Sequence, residues 1–585
     1  MKKKTQKVRK KIEFDELFKQ FKTAYKSQQD NKKYLMGILL PSLAAGIIII
    51  ILPSLLALFG LQIPGFQPSI SLLAGLILII LGICYPYLKW KNRESDINGK
   101  IHFFITHLRV LAISDLSLKE IIKLLGGNPA YGALGEEMRK VGVLSDSWRM
   151  PLSKSFLFIS KRTPSKILSD FLDRFSQSLN SGVEPREFIE NEQSAVLEDY
   201  KTMYETSNDN ITLLNEVYVS LLISIIFVMS LGIVLPIIMG TNDMNQFLFL
   251  SSFLLIISEV MLLYLLKAMV PTDEVWHRTG EKGELEDQIE TQFQICIMAS
   301  VGLGILLFVL KYLSNLPLIT DLPFEILMAL ACTPLIVPGF KTYAAESMMH
   351  RKERNFLSFL PALGSISTMR GGKINESVYY LSQKDYGVLT THIRALYRRL
   401  RTRINDDQSW EWFGVDSGSN YIQRSCEMFR QATAASANPR NTSRMIVENV
   451  RKIRDLRVKK FSVVNTSAAL FAGITFGISF SIYTSLVIAQ HLNNILLEGI
   501  GGDPFSGTTI DVGNILQAVP PPLFNTTFII VFVVLLIHSF LMSLTVRTMR
   551  GSHLFVTLLY FVPMVWIVAL TAAGVNMILG GYLGM

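Results

Sequence analysis

The chain has 585 residues, half of them hydrophobic and only 18% charged, with a mean hydropathy of +0.35; an ordinary soluble domain carries about 25% charged residues. That balance excludes a single water-soluble core. The formal net charge of +10 does not argue for a nucleic-acid partner, because Lys and Arg gather in a few polar stretches, and Cys84, Cys296, Cys332 and Cys426 form neither a CxxC pair nor a disulfide framework.

Residues 1–33 form a basic segment, with Lys2 to Lys11 its densest part, that runs into an apolar stretch without a small-residue cleavage site. We expect an uncleaved anchor. Apolar runs then fall near 34–59, 70–88, 217–240, 247–270, 293–312, 324–340, 463–490, 523–546 and 552–582, each long enough as a helix to cross a hydrocarbon layer of ~30 Å. About nine transmembrane helices are predicted. Placing the N-terminus inside leaves the connections 60–69, 241–246 and 491–522 outside, and none of them contains Lys or Arg. The positive-inside rule therefore predicts a cytoplasmic N-terminus and an external C-terminus in the cell membrane.

The remaining polar stretches, 89–216 and 341–462, each have the size of a domain, and an acidic connection, 271–292, lies between them. Helical periodicity recurs in both: Ile393, Leu396, Leu400 and Ile404 mark one face of a helix, Arg394, Arg398 and Arg401 another. The expected fold is all-α, with spans one and two in 34–88, three and four in 217–270, five and six in 293–340, seven to nine in 463–582, and two homologous helical bundles on the cytoplasmic side. The layout of two spans, a bundle and two spans occurs twice. Phe175, Gln177, Pro185 and Arg186 match Phe429, Gln431, Pro439 and Arg440 at a constant offset of 254, as a duplication would give. Within the first bundle, Phe104, Leu108, Leu111, Ser114, Leu118 and Glu120 recur 67 positions later as Phe171, Phe175, Ser178, Ser181, Pro185 and Glu187.

The run Phe104-x-x-His107-Leu108-x-x-Leu111, a break at Ser114-Asp115 and Leu118-x-Glu120-Ile121 resembles the type II secretion system F domain, where a Gln and a Gly stand at the positions of His107 and Asp115. The second copy, Phe171 to Ile189, keeps Gly182 and Pro185. In 341–462 the pattern from Phe356 through Leu360 and Leu363 to Glu376 fits only with an insertion around Arg370-Gly371-Gly372. Bacterial members of the family have about three membrane helices; nine resemble the archaeal platform proteins of the archaellum and of adhesion pili. The resemblance implies a non-enzymatic platform, working as a homodimer, that couples a cytoplasmic hexameric secretion-type ATPase to assembly, and rotation, of a filament of pilin-like or archaellin subunits. A secondary transporter is the competing class, but large polar domains argue against it.

Chemistry of the chain's own is hard to find. Gly99-Lys100-Ile101 and Gly372-Lys373-Ile374 lack the hydroxyl and upstream glycine of a phosphate-cradling loop. There is no HExxH, and His102 and His107, five apart, diverge by about 140° on a helix. The glycine-rich run Gly499 to Gly507 reads as a turn. We expect no cofactor, no metal and no catalytic residue. Glu259 is the one carboxylate deep in a predicted span, and an intramembrane acid is either functional or a hydrogen-bonded tie between helices; the second reading is preferred. His538 is a weaker case. Pro41, Pro53, Pro236, Pro334, Pro338 and Pro563 should kink or unwind their spans.

Two basic sets remain. Arg394, Arg398, Arg399, Arg401 and Arg403 read equally as an ATPase-docking face or a solvated one. Arg451, Lys452, Arg454, Arg457, Lys459 and Lys460 precede the seventh span, where such residues fix topology and touch lipid headgroups or a partner. The aligned segment 184–205 is acidic instead, so the two bundles could pair by charge or offer one partner two different faces.

Overall fold

The computed structural model describes residues 25, 34–58, 68–239, 244–271, 273–277, 283–313, 322–402, 405–501 and 521–583. Almost all of the basic N-terminal segment, much of the connections 60–69, 241–246 and 491–522, most of the turn Gly499 to Gly507, and Arg403 and Ile404 lie outside the described residues. Those described form helices and no strand; one isolated bridge joins Trp276 to Ser419. Among them, nine helices are long and apolar enough to cross a membrane, one for each apolar run read from the sequence. The protein is an all-α, multi-pass membrane protein.

The first half contains α1 (Leu40–Leu58), α2 (Pro68–Ala112), α3 (Leu118–Gly127), α4 (Ala133–Asp146), α5 (Leu152–Ser160), α6 (Lys166–Asn180), α7 (Pro185–Met239) and α8 (Met244–Met269). After α9 (Glu284–Leu313) and α10 (Phe324–Cys332), the order returns as α11 (Ile336–Met369), α12 (Ile374–Ser382), α13 (Thr390–Thr402), α14 (Asp406–Ser417), α15 (Asn420–Ala434), α16 (Pro439–Gly501) and α17 (Pro521–Arg550), and α18 (Val556–Leu583) closes the chain. Even the short 3-10 turns recur, at Pro129–Tyr131 and Gly387–Leu389. So do the caps. Ser165 receives Leu168 N–H and Ser419 receives Ile422 N–H, each hydroxyl satisfying a backbone donor that a helix start leaves unpaired. Ser117 and Glu120 form a full capping box on α3.

Four spans do not stop at the membrane. α7 has 55 residues and α16 has 63, about 80 and 95 Å at 1.5 Å per residue, so each is one rod from polar bundle to far membrane face. α2 and α11 are continuous in the same way. Ile97 to Tyr204 and Phe356 to Leu456 supply one contiguous apolar core, which places both bundles on the same side. The spans of α7, α8, α16, α17 and α18 share a second core. α1 packs on α2 where Gly46 and Gly75 face each other: a Cβ on Gly75 would lie 2.6 Å from the Gly46 carbonyl oxygen, so only small residues permit this crossing.

Proline alters two spans, through two devices, while Pro53, Pro236 and Pro563 lie inside α-helices that run on without a break. Span six is split at Cys332 by a 3-10 turn, Thr333–Leu335, containing Pro334, and Trp566 Nε1 donates to Thr333 Oγ1 at 3.1 Å across the break. Ahead of Pro41 the helix widens into a π turn, Leu35–Leu39, which absorbs the missing N–H.

Candidate docking face and the buried charges behind it

On α13, Ile393, Leu396 and Leu400 are buried while Arg394, Arg398 and Arg401 are exposed, the separation that a 3.6-residue period requires. Arg394 Nε donates to the Ser382 carbonyl at 3.3 Å. Arg399 turns aside and pairs with Asp416 at 2.7 Å, so it serves the bundle itself. Beside this face α12, α13, α14 and α15 leave an open cleft of about 900 Å³, lined by Tyr379, Tyr380, Tyr397, Trp410, Arg401 and Arg430 among others. Its rim is the inserted Arg370-Gly371-Gly372 segment. Gly371 and Gly372 have φ of +64° and +88°, a left-handed turn that residues with a side chain resist.

The second basic set divides. Arg451, Lys452 and Lys459 are exposed, and Arg454, half-buried, pairs with Asp455 at 3.1 Å. Arg457 and Lys460 do not belong with them: their side chains are 4% and 1% exposed. Both lie on the inward stripe of α16 with Ile453, Leu456 and Val464, a periodicity that was readable before the charge was considered. Arg457 pairs with Glu353 at 3.4 Å and lies 4.5 Å over the Tyr421 ring. Glu353 also accepts the Ser419 hydroxyl at 2.6 Å and contacts His350 Nδ1 at 3.1 Å. Lys460 pairs with Asp273 at 3.1 Å, and Tyr204 of α7 donates its hydroxyl to the same carboxylate.

These contacts explain the ionisation of the buried acids. Burial opposes charge on Asp273, yet Lys460, Arg457 and the Tyr204 hydroxyl hold its carboxyl below the ordinary aspartate value. Burial likewise opposes charge on Glu353, and Arg457, His350 and Ser419 outweigh it. The segment carrying Asp273 is fastened by backbone as well: Asn420 N–H donates to the Val275 carbonyl at 3.0 Å and His277 N–H to the Gly418 carbonyl at 3.1 Å. Glu346 ties it to the start of the last span, accepting Trp276 Nε1 at 3.1 Å and His553 N–H at 2.8 Å. Sequence reading missed Asp273, Glu346 and Glu353 as a set, because they are scattered over more than 70 positions and carry no motif.

Inside the membrane region, Glu259 of α8 is hydrogen-bonded to His538 of α17, and both side chains are fully buried. Thr475 Oγ1 of α16 lies 3.2 Å from His538 Nε2, and Tyr218 of α7 stands beside the carboxylate. The cluster joins four spans. The two groups weighed separately in the sequence are thus one pair.

The family model described as "Type II secretion system (T2SS), protein F" matches residues 104–233, from within α2 to near the end of α7. The chain is 32% identical over 556 residues to flagella accessory protein J of Methanococcus voltae, covering 94% of this chain and 96% of that one. The chain belongs to the flagella accessory protein J family. A second member, from Methanocaldococcus jannaschii, is 32% identical over 562 residues, 95% of this chain and 96% of its own. No solved structure matches the chain. Within this family member, the paired motif positions occupy equivalent places. Phe175 and Phe429 are buried on α6 and α15. Gln177 and Gln431 each donate to an acid one turn earlier, Asp173 and Glu427, at 2.9 and 3.0 Å. Pro185 and Pro439 open the long rods α7 and α16, followed by exposed Arg186 and Arg440.

Proposed function

We propose that this chain is the membrane platform of an archaellum or type IV pilus-like filament machine, converting movement of a cytoplasmic hexameric ATPase into assembly, and rotation, of a filament of pilin-like subunits. The observation that carries the reading is the continuity of α7 and α16. Each rod is packed at one end into the apolar core that the two bundles share and at the other into the membrane core. A push or twist on the bundles therefore reaches the far membrane face without crossing a loop. The bundles lie in the cytoplasm, the N-terminus inside and the C-terminus outside, as the distribution of Lys and Arg argues. The chain supplies no chemistry of its own, and the resemblance implies that it works as a homodimer.

The test is reconstitution of the full chain in lipid nanodiscs with a hexameric secretion-type ATPase of the same organism. The platform reading expects retention of the ATPase and no nucleotide binding by the chain alone. Saturable ATP binding by the purified chain, or failure of the ATPase to associate under any salt condition, overturns it. Reporter fusions after Lys100, Glu281 and Asn405 should read as cytoplasmic, and fusions after Gly60, Thr241 and Ser506 as external.

A further inference from the structure

Taking the platform reading as its premise, we infer that the cleft between α12, α13, α14 and α15 is the anchor point for an acidic segment of the ATPase that inserts an apolar or aromatic side chain. The cleft has the composition of an interface centre. Tyrosine, tryptophan and arginine are enriched at such centres, because they combine a large contact area with a polar tip at low cost in conformational freedom. Tyr379 and Tyr380 are each 40% exposed, yet they are held in place: Tyr379 packs on Tyr397 with ring centroids 5.1 Å apart, and the Arg370 guanidinium lies 3.8 Å over the Tyr380 ring. A preorganised aromatic floor left open to solvent is a site for a partner's side chain.

Charge selects the partner. The acids at the cleft are already engaged within the bundle: Glu376 contacts Arg370 at 3.5 Å and Lys373 at 3.2 Å, Asp407 pairs with Arg430, and Asp406 accepts Asn375 at 2.9 Å. Among the described residues no ion pair involves Arg394, Arg398 or Arg401, which stand along the adjoining edge of α13. The surplus charge is therefore positive, and the complementary segment is acidic. Lipid is not that acidic surface. The cleft opens at the end of α11, some 30 residues beyond Phe340, which is about 45 Å along a helix.

The duplication sharpens the assignment to one bundle. Aligning helix starts, the first bundle carries Lys123, Lys140, Leu144 and Ser176 where the second carries Tyr379, Tyr397, Arg401 and Arg430. The aromatic and arginine constellation belongs to the second bundle.

The experiment measures ATPase affinity for the full chain in nanodiscs at low and high salt. Tyr379→Ala with Tyr380→Ala should weaken binding about tenfold or more at both, since the anchor is apolar. Arg401→Glu should weaken it at low salt and recover as salt rises. Tyr379→Phe, which keeps the ring, should bind like the parent, and unchanged thermal unfolding of each variant excludes collapse of the bundle. A photo-crosslinking residue at position 380 should capture the ATPase. Retention of the ATPase by the parent with equal retention by the alanine and glutamate variants overturns the cleft and leaves the platform reading standing; loss of association by the parent overturns both. Capture of a filament subunit or of lipid at position 380 likewise overturns the assignment.

Discussion

The two bundles share an element order, one helix cap and one core, but they differ in the polar groups they bury. The first buries two imidazoles, His102 and His107, held neutral with pKa values lowered to about 3 by burial, beside the ion-paired Lys100 and Glu137. The second buries Arg457 on Glu353, and Lys460 on Asp273 of the connection between the bundles. Where the halves meet, His102 stacks on Tyr421 with ring centroids 6.2 Å apart and Arg424 donates to the Ala130 carbonyl. A repeated architecture thus tolerates exchange of its interior charges so long as each is neutralised locally, since the backbone frame depends on apolar periodicity, and that is kept.

The comparison breaks most visibly at the buried ions. Asp273→Asn or Glu353→Gln leaves a buried cation without its partner and should cost about 3–5 kcal/mol, read as a lower unfolding temperature in nanodiscs. Replacing both members, as in Asp273→Leu with Lys460→Met, should restore most of it, because an apolar pair of similar volume leaves no charge stranded. Equal losses for the single and double variants would show that the pair is incidental.

Acid should separate the buried imidazoles from the buried carboxyls next. A neutral buried imidazole binds fewer protons folded than unfolded, so stability falls as pH drops below the ordinary histidine value of 6.5, approaching about 1.4 kcal/mol per pH unit for each of His102 and His107. The depressed carboxyls behave differently: their contribution is intact above the ordinary values of 3.8 and 4.5 and is lost only as pH falls below them. His102→Gln should lessen the slope of the first limb of an unfolding-against-pH curve, to which His107 and His392 of α13, its pKa lowered to about 4 by burial, also contribute, and leave the second limb unchanged. A single limb beginning below pH 4.5 would contradict the contrast.

The smallest effect is at the exposed seam. Lys459 and Glu205 pair at 2.9 Å but stand open to water, and Lys459→Met should leave thermal unfolding unchanged within error. A clear shift would mean that the seam is buried in the working assembly.

Spans and bundles were legible because each rests on a local signal: apolar length for the spans, Ile393, Leu396 and Leu400 at helical spacing for the bundle face, paired motif positions for the duplication. The burial of Arg457 and Lys460 was legible in principle, from their register with Ile453 and Leu456, but basic residues before a span invite a lipid reading first. The cleft was not. Tyr379, Tyr397, Trp410 and Arg430 converge only after four helices fold, and the Arg370-Gly371-Gly372 insertion that shapes its rim looked in the sequence like an interruption of the motif. Nor did any spacing announce that Glu259 and His538 meet, since helix–helix partners in a membrane carry no sequence register with each other.

Glu205 and Lys459 touch although they are 254 positions apart, which is the offset of the paired motif positions, and Asn215 with Ser467, at 252, and Ser230 with Ser481, at 251, nearly repeat this lower down α7 and α16. Each half therefore meets its own counterpart at the same height, as two copies do across a rotation axis. In an assembly of identical copies, the position nearest the axis must oppose itself, acid against acid or base against base. Joining the copies in one chain removes that constraint, so an acid on one side can face a base on the other. It also fixes the ratio of the halves at one to one and leaves each free to acquire residues that the other lacks.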